Sequence, residues 1–102
     1  MGIPRYKAKQ DANQPVLVDL MRKMGAHVLI ISDPCDLLVA HRGRVYLVEV
    51  KDSEAQAARD AKGNNKTQRK QRALRENMAH VGVKVWTIWS EDQARAMLMG
   101  EP

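Results

Sequence analysis

The chain has 102 residues, 44% of them hydrophobic and 28% charged, which allows one modest core, is too little for two, and argues against wholesale disorder. Its 17 Lys and Arg outnumber 12 Asp and Glu, for a formal charge of +5 and a pI near 9.7, so an anionic partner is expected, nucleic acid being the commonest for a basic domain. The single Cys35 excludes an intrachain disulfide and points to a reducing cytoplasmic compartment, while no run approaches the roughly 18 apolar residues of a membrane span and the first residues lack a signal-peptide core, so no membrane partner is expected.

Residues 1–10 carry Arg5, Lys7 and Lys9 among few apolar residues and read as a basic arm, leaving 11–99 for a single domain. Leu17, Leu20, Met21 and Met24 fall at i, i+3, i+4 and i+7, one face of an amphipathic helix stopped by Gly25. Its start has two readings: Asp11 with Gln14 resembles a capping box, and Pro15 fits the first turn. Carried backwards, the face runs through Gln14 and Gln10, so these amides emerge at the end of the buried stripe, Gln14 either as a site group or merely as a capping residue. Ala26 to Ile31 suits a short strand, broken by Ser32-Asp33-Pro34. His27, His41 and His80 are scattered without zinc spacing, and Cys35 reads as a small buried residue.

The stretch from Asp36 to Lys51, DLLVAHRGRVYLVEVK, reads as a β-hairpin: two aliphatic runs joined by a turn containing Gly43. A turn centred on Arg42-Gly43 pairs residues whose numbers sum to 85, which sets Asp36 opposite Glu49. Like charges opposed on a sheet are destabilising, so something positive is expected between them, and a hard divalent cation bound by oxygen is the natural candidate. Lys51, two residues beyond Glu49, shares its face. The bland alternative is a hairpin with charged ends at the surface, and a three-residue turn with a bulge would send one acid to the other face.

Asp52 to Asn65 has an Ala-rich middle that could form a short helix, but without an apolar stripe it is expected as a mobile basic loop. A helix follows from about Thr67 to Val81, stopped by Gly82, with Gln71, Leu74, Met78 and Val81 on one face. Gln71 thus sits where the buried face emerges into a cleft, near a helix N-terminus favourable for phosphate. Between Arg59 and Arg75, seven basic residues accompany one acid, Asp60. They form either a solvated face or a track for a DNA backbone, with Lys62, Lys66, Arg69, Lys70 and Arg72 as expected contacts. Val83 to Trp89 is a strand by alternation, and Ser90 with Asp92 and Gln93 caps a last helix, Glu91 to Met99, whose Ala94, Met97 and Leu98 face inward. Because the strand after the hairpin follows a helix, a crossover is required, and the fold class expected is α/β with a mixed sheet flanked by helices.

Pro34-Cys35-Asp36 followed by Glu49-Val50-Lys51 resembles the PD-(D/E)xK nuclease motif. Over about residues 5–99 the chain is similar to the small stand-alone VRR-NUC (virus-type replication-repair nuclease) proteins of bacteriophages, relatives of archaeal Holliday-junction resolvases. The resemblance implies a restriction-endonuclease-like αβββαβ core and a Mg²⁺- or Mn²⁺-dependent, structure-selective endonuclease of DNA repair that hydrolyses phosphodiester bonds in branched DNA. It further implies a homodimer, a host bacterial cytoplasm and no small-molecule cofactor; the Met and Trp content of the last strand and helix makes them a candidate dimer surface. Asp36 and Glu49 match the metal ligands, with the Val50 carbonyl as the third. Lys51 matches the motif lysine that orients or deprotonates water, or stabilises the pentavalent phosphate. Gln71 matches the helix glutamine, Gln68 being a competing match. The family usually carries Glu in the first helix where this chain has Gln14, an amide that can coordinate through oxygen but cannot act as a base, and Asp11 is the better-placed acid to compensate. The alternative is a non-catalytic nucleic-acid-binding domain that keeps this fold after losing that acid.

Overall fold

In the computed structural model, which describes residues 12–100, the elements are α1 (Gln14–Lys23), β1 (His27–Ile30), β2 (Leu37–His41), β3 (Arg44–Val50), α2 (Glu54–Lys62), α3 (Lys66–His80), β4 (Val85–Ile88) and α4 (Glu91–Leu98). The sheet order is β1-β2-β3-β4, with β4 returning parallel to β3 after the two antiparallel pairings. This is the expected α/β architecture, a mixed sheet flanked by helices, with one helix more than the sequence suggests. The basic arm at 1–10 and Asp11 lie outside the described residues.

Arg42 and Gly43 turn the hairpin with φ of +51° and +80°, the two positive values of a type I′ turn, whose twist matches that of the strands it joins. His41 pairs with Arg44, Val39 with Tyr46 and Leu37 with Val48, so the numbers sum to 85 along the ladder. Alternation then sorts the side chains. Val28, Leu37, Val39, Tyr46, Val48, Val50 and Ile88 are buried on one face, beneath Leu17, Val18 and Met21 of α1 and Ala94, Met97 and Leu98 of α4. Each large side chain of this core contributes on the order of 1.5–3 kcal/mol through burial. The opposite face carries Leu38, Leu47, Glu49 and Thr87, and continuing the register by one residue at each strand end adds Asp36 and Lys51.

The segment expected as a loop contains α2. Ser53 caps it by accepting from the Gln56 N–H at 3.1 Å, and alanines at 55, 57, 58 and 61 favour helix while being too small to announce an apolar stripe. In α3 the stripe stops short: Leu74 and Met78 are half-buried, whereas Val81 is 74% exposed. Val81 is the C-cap, already outside helical geometry, so it no longer lies over the sheet. The last strand is shorter than its alternation suggests, and Val83 is exposed before it begins. At α1 the N-cap is Asn13 and Pro15 lies in the first turn, where its missing N–H costs nothing. The last strand and helix expose little of what recommended them as a dimer surface: Trp86 and Trp89 are half-buried, Met97 is buried, and Met99 alone of these is exposed. Among the described residues no helix is long and apolar enough to cross a membrane.

Leu37→Ala should lower unfolding free energy by about 2–5 kcal/mol in denaturant titrations because Leu37 is fully enclosed, and Val81→Ala should change it by less than about 0.5 kcal/mol.

Candidate functional site

Where β2 begins and β3 ends, the hairpin brings its acids together. Asp36 Oδ2 accepts from the Val50 N–H at 2.8 Å, closing the hairpin end across the two strands. Glu49 is completely buried; its Oε1 accepts from Arg75 at 2.7 Å and from the Thr87 hydroxyl at 3.4 Å, Thr87 being its partner on β4. Its second oxygen, Oε2, is buried and has no hydrogen-bond partner. Lys51 is 5% exposed, and its ammonium donates to Asp60 of α2 at 2.7 Å and to Gln71 Oε1 of α3 at 3.0 Å.

Burial pushes the Asp36 carboxyl above its ordinary range, only partly offset by the Val50 amide and the charge of Lys51. Burial likewise raises Glu49, against the opposing charge and hydrogen bond of Arg75 and the charge of Lys51, while Asp36 adds to the rise. At Asp60 partial burial is outweighed by hydrogen bonds from Lys51 and Gln68, and its carboxyl stays below the usual range. Cys35 is raised by burial and is not a nucleophile candidate; its thiol donates to the Leu37 carbonyl. Three carboxylates, Asp36, Glu49 and Asp60, thus share two cations, Lys51 and Arg75.

The structure brings Asp36, Glu49, Lys51 and Gln71 into one cluster. It also separates the two candidate glutamines. Gln68 completes the α3 capping box with Asn65 and donates to Asp60 at 3.1 Å, whereas Gln71 reaches the lysine. Val50 meets Asp36 through its amide rather than its carbonyl. Gln14 is buried and makes no hydrogen bond to this group; with Val18, Asp19, Arg22 and Ile30 it lines a cleft of about 300 Å³ beside α1 and β1. Of the expected DNA contacts, Arg72 is occupied by the Ala61 and Gly63 carbonyls, both at 2.9 Å, and by Asn64, and Arg69 bonds the Asn64 carbonyl. Lys62, Lys66 and Lys70 are exposed, Lys70 lying 3.8 Å from Asp33.

Sequence reasoning passed over four participants: Asn13, Asp60, Arg75 and Thr87. The Asn13 amide donates to the Lys51 carbonyl at 3.0 Å and the Trp89 carbonyl at 2.6 Å, stitching the start of α1 to the ends of β3 and β4. Two signals were available: Asp60 is the lone acid of the basic segment, and Arg75 lies four residues, one helical turn, beyond Gln71.

A divalent cation fits this donor set. Glu49 Oε2 is an orphaned buried oxygen, Asp36, opposite Glu49 by the hairpin register, uses one carboxylate oxygen on the Val50 amide, and both carboxylates are hard ligands. Among the described residues no group of three or more His, Cys, Asp and Glu forms a cage, so water and substrate oxygens would have to complete the coordination sphere, as is usual for Mg²⁺. No family model, curated protein or solved structure matches the chain.

Because the folded pKa values of Asp36 and Glu49 are raised, the native state binds more protons than the unfolded chain above the ordinary carboxylate range. Their contribution therefore favours folding at acid pH and is lost as pH rises through the folded values. Thermal melts in metal-free buffer between about pH 4 and 8 should show wild-type stability falling with pH relative to Glu49→Gln, and Mn²⁺ should raise the wild-type melting temperature near neutral pH more than that of the variant.

Proposed function

We propose that this protein is a divalent-cation-dependent DNA endonuclease of the PD-(D/E)xK class, of VRR-NUC type, cutting phosphodiester bonds in branched DNA such as Holliday junctions in the cytoplasm of a bacterial host. What carries the assignment is the Asp36–Glu49 pair, opposed by the hairpin register and left with a buried oxygen that no donor satisfies, beside Lys51. Asp36 and Glu49, with the Val50 carbonyl, would hold Mg²⁺ or Mn²⁺. Such a cation, when bound, supplies positive charge against the phosphoryl group and acidifies a water molecule.

The remaining chemistry belongs to the chain. Asp60 and Gln71 hold the Lys51 ammonium in one place, where it orients the attacking water or balances charge on the pentavalent phosphate. Since Gln71 uses its oxygen on Lys51, its NH₂ group is available to donate to water or phosphate. Lys62, Lys66 and Lys70 offer charge to the DNA backbone without reading bases, which suits structure-selective rather than sequence-specific cleavage. Two symmetric cuts call for a homodimer, and Leu29 and Val45, exposed on the sheet face that α1 and α4 leave open, supply apolar surface for a second copy.

A second reading, a non-catalytic nucleic-acid-binding domain, is favoured by the Arg75–Glu49 pair, an internal counter-ion for one proposed ligand, and by Gln14 in place of an acid.

Cleavage of a labelled four-way junction in Mg²⁺ or Mn²⁺ discriminates the two. Wild type should cut, and Asp36→Ala and Lys51→Ala should each cut at least about a hundredfold more slowly while still binding. Equal rates in all three would sink the catalytic assignment, and salt-sensitive binding with no cleavage would favour the binding domain.

A further inference from the structure

Two cations face the paired acids, and they are unequally free. Lys51 is 5% exposed with its ammonium held by Asp60 and Gln71. Arg75 reaches in from α3 with a side chain 27% exposed, and uses one guanidinium nitrogen on Glu49 Oε1 at 2.7 Å. Its other nitrogens meet no acceptor among the described residues. With Lys51, Thr87 and Trp89, and with the carboxylates Glu54 and Asp60, the latter paired to Lys51, it lines a cleft of about 310 Å³ between α2, α3 and β4.

Arg72, three residues earlier on the same helix, shows what a structural arginine does here: both of its terminal nitrogens are engaged, by two backbone carbonyls and a side-chain amide oxygen. A guanidinium offers five N–H donors, and those of Arg75 not spent on Glu49 are neither buried nor tied into the fold, so they are open to a ligand. The same arrangement suits an anion with two adjacent oxygens, and phosphate matches the fork.

We propose that Arg75 is a phosphate-contacting catalytic residue of this site, gripping Glu49 with one nitrogen and presenting the rest of its fork to a DNA phosphate at the mouth of the cleft. This deepens, and rests on, the DNA-cleaving reading above. The labour divides accordingly: Lys51 is the fixed charge inside the site, and Arg75 is the charge that an incoming phosphate meets first.

The test reads DNA binding rather than cleavage. Fluorescence anisotropy with labelled branched DNA in EDTA compares Glu49→Gln with Glu49→Gln/Arg75→Ala, a pair in which losing the arginine strands no buried carboxylate. Removing Arg75 should weaken binding about tenfold and lower the slope of log affinity against log salt by about one. Equal affinity and slope would overturn the proposal. In an otherwise wild-type chain, Arg75→Lys keeps an ion pair but not the fork, and should bind several-fold more weakly with an unchanged melting temperature; binding equal to wild type would overturn the fork contact even if the double variant failed to fold. Loss of cleavage in wild type with the Arg75 effect intact would defeat the nuclease reading alone, and no DNA binding by Glu49→Gln would defeat both.

Discussion

A completely buried carboxylate is the constraint on which this structure turns. Taking Glu49 out of water costs several kcal/mol, and Arg75 and Thr87 compensate only one of its two oxygens. The acid cannot drift out of this position. Val48 and Val50 on either side of it are fully packed under α1 and α4, and a slip of one residue would carry Glu49 into that core and both valines toward the opposite face. The hydrophobic pattern of β3 therefore holds the charge in place. The type I′ turn does the same for Asp36 from the other strand.

The helical side of the site is built differently. Neither α2 nor α3 contains a buried residue, so polar contacts supply much of what seats them. On α3, Gln68, Gln71 and Arg75 follow at spacings of three and four, on one face, and meet Asp60, Lys51 and Glu49 respectively. Asp60 links the two helices by accepting from both Lys51 and Gln68. The residues that hold the Lys51 ammonium are thus among those that attach α2 and α3 to the sheet, so stability and the proposed chemistry draw on the same bonds.

Local signals account for what was legible in the chain. Gly43 in a two-residue turn, period-two alternation on both sides, and Ser90 with Gln93 ahead of an apolar helix each declare themselves within a few residues. The Asp36–Glu49 opposition followed from the hairpin signals, and the α3 stripe set Gln71 at the mouth of a cleft, but its contact with Lys51, 20 residues away, did not follow from either. α2 was hidden because alanine packs without raising hydrophobicity, and its cap, Ser53, looks like any loop serine. Arg75 and Asp60 were hidden for another reason. Their partners lie 26 and 9 residues away, and the pairing depends on how the crossover lays α3 over the sheet. Asn13, whose contacts are 38 and 76 residues distant, is the extreme case. Val81 marks where periodicity misleads: the pattern continues past the point where the helix stops.

Whether Asp36 and Glu49 share a divalent cation, as proposed, is decided by anomalous diffraction from crystals grown in Mn²⁺. A manganese peak is expected within coordination distance of an Asp36 oxygen and Glu49 Oε2. Manganese ordered only elsewhere, with that oxygen still lacking a partner, would contradict the proposal.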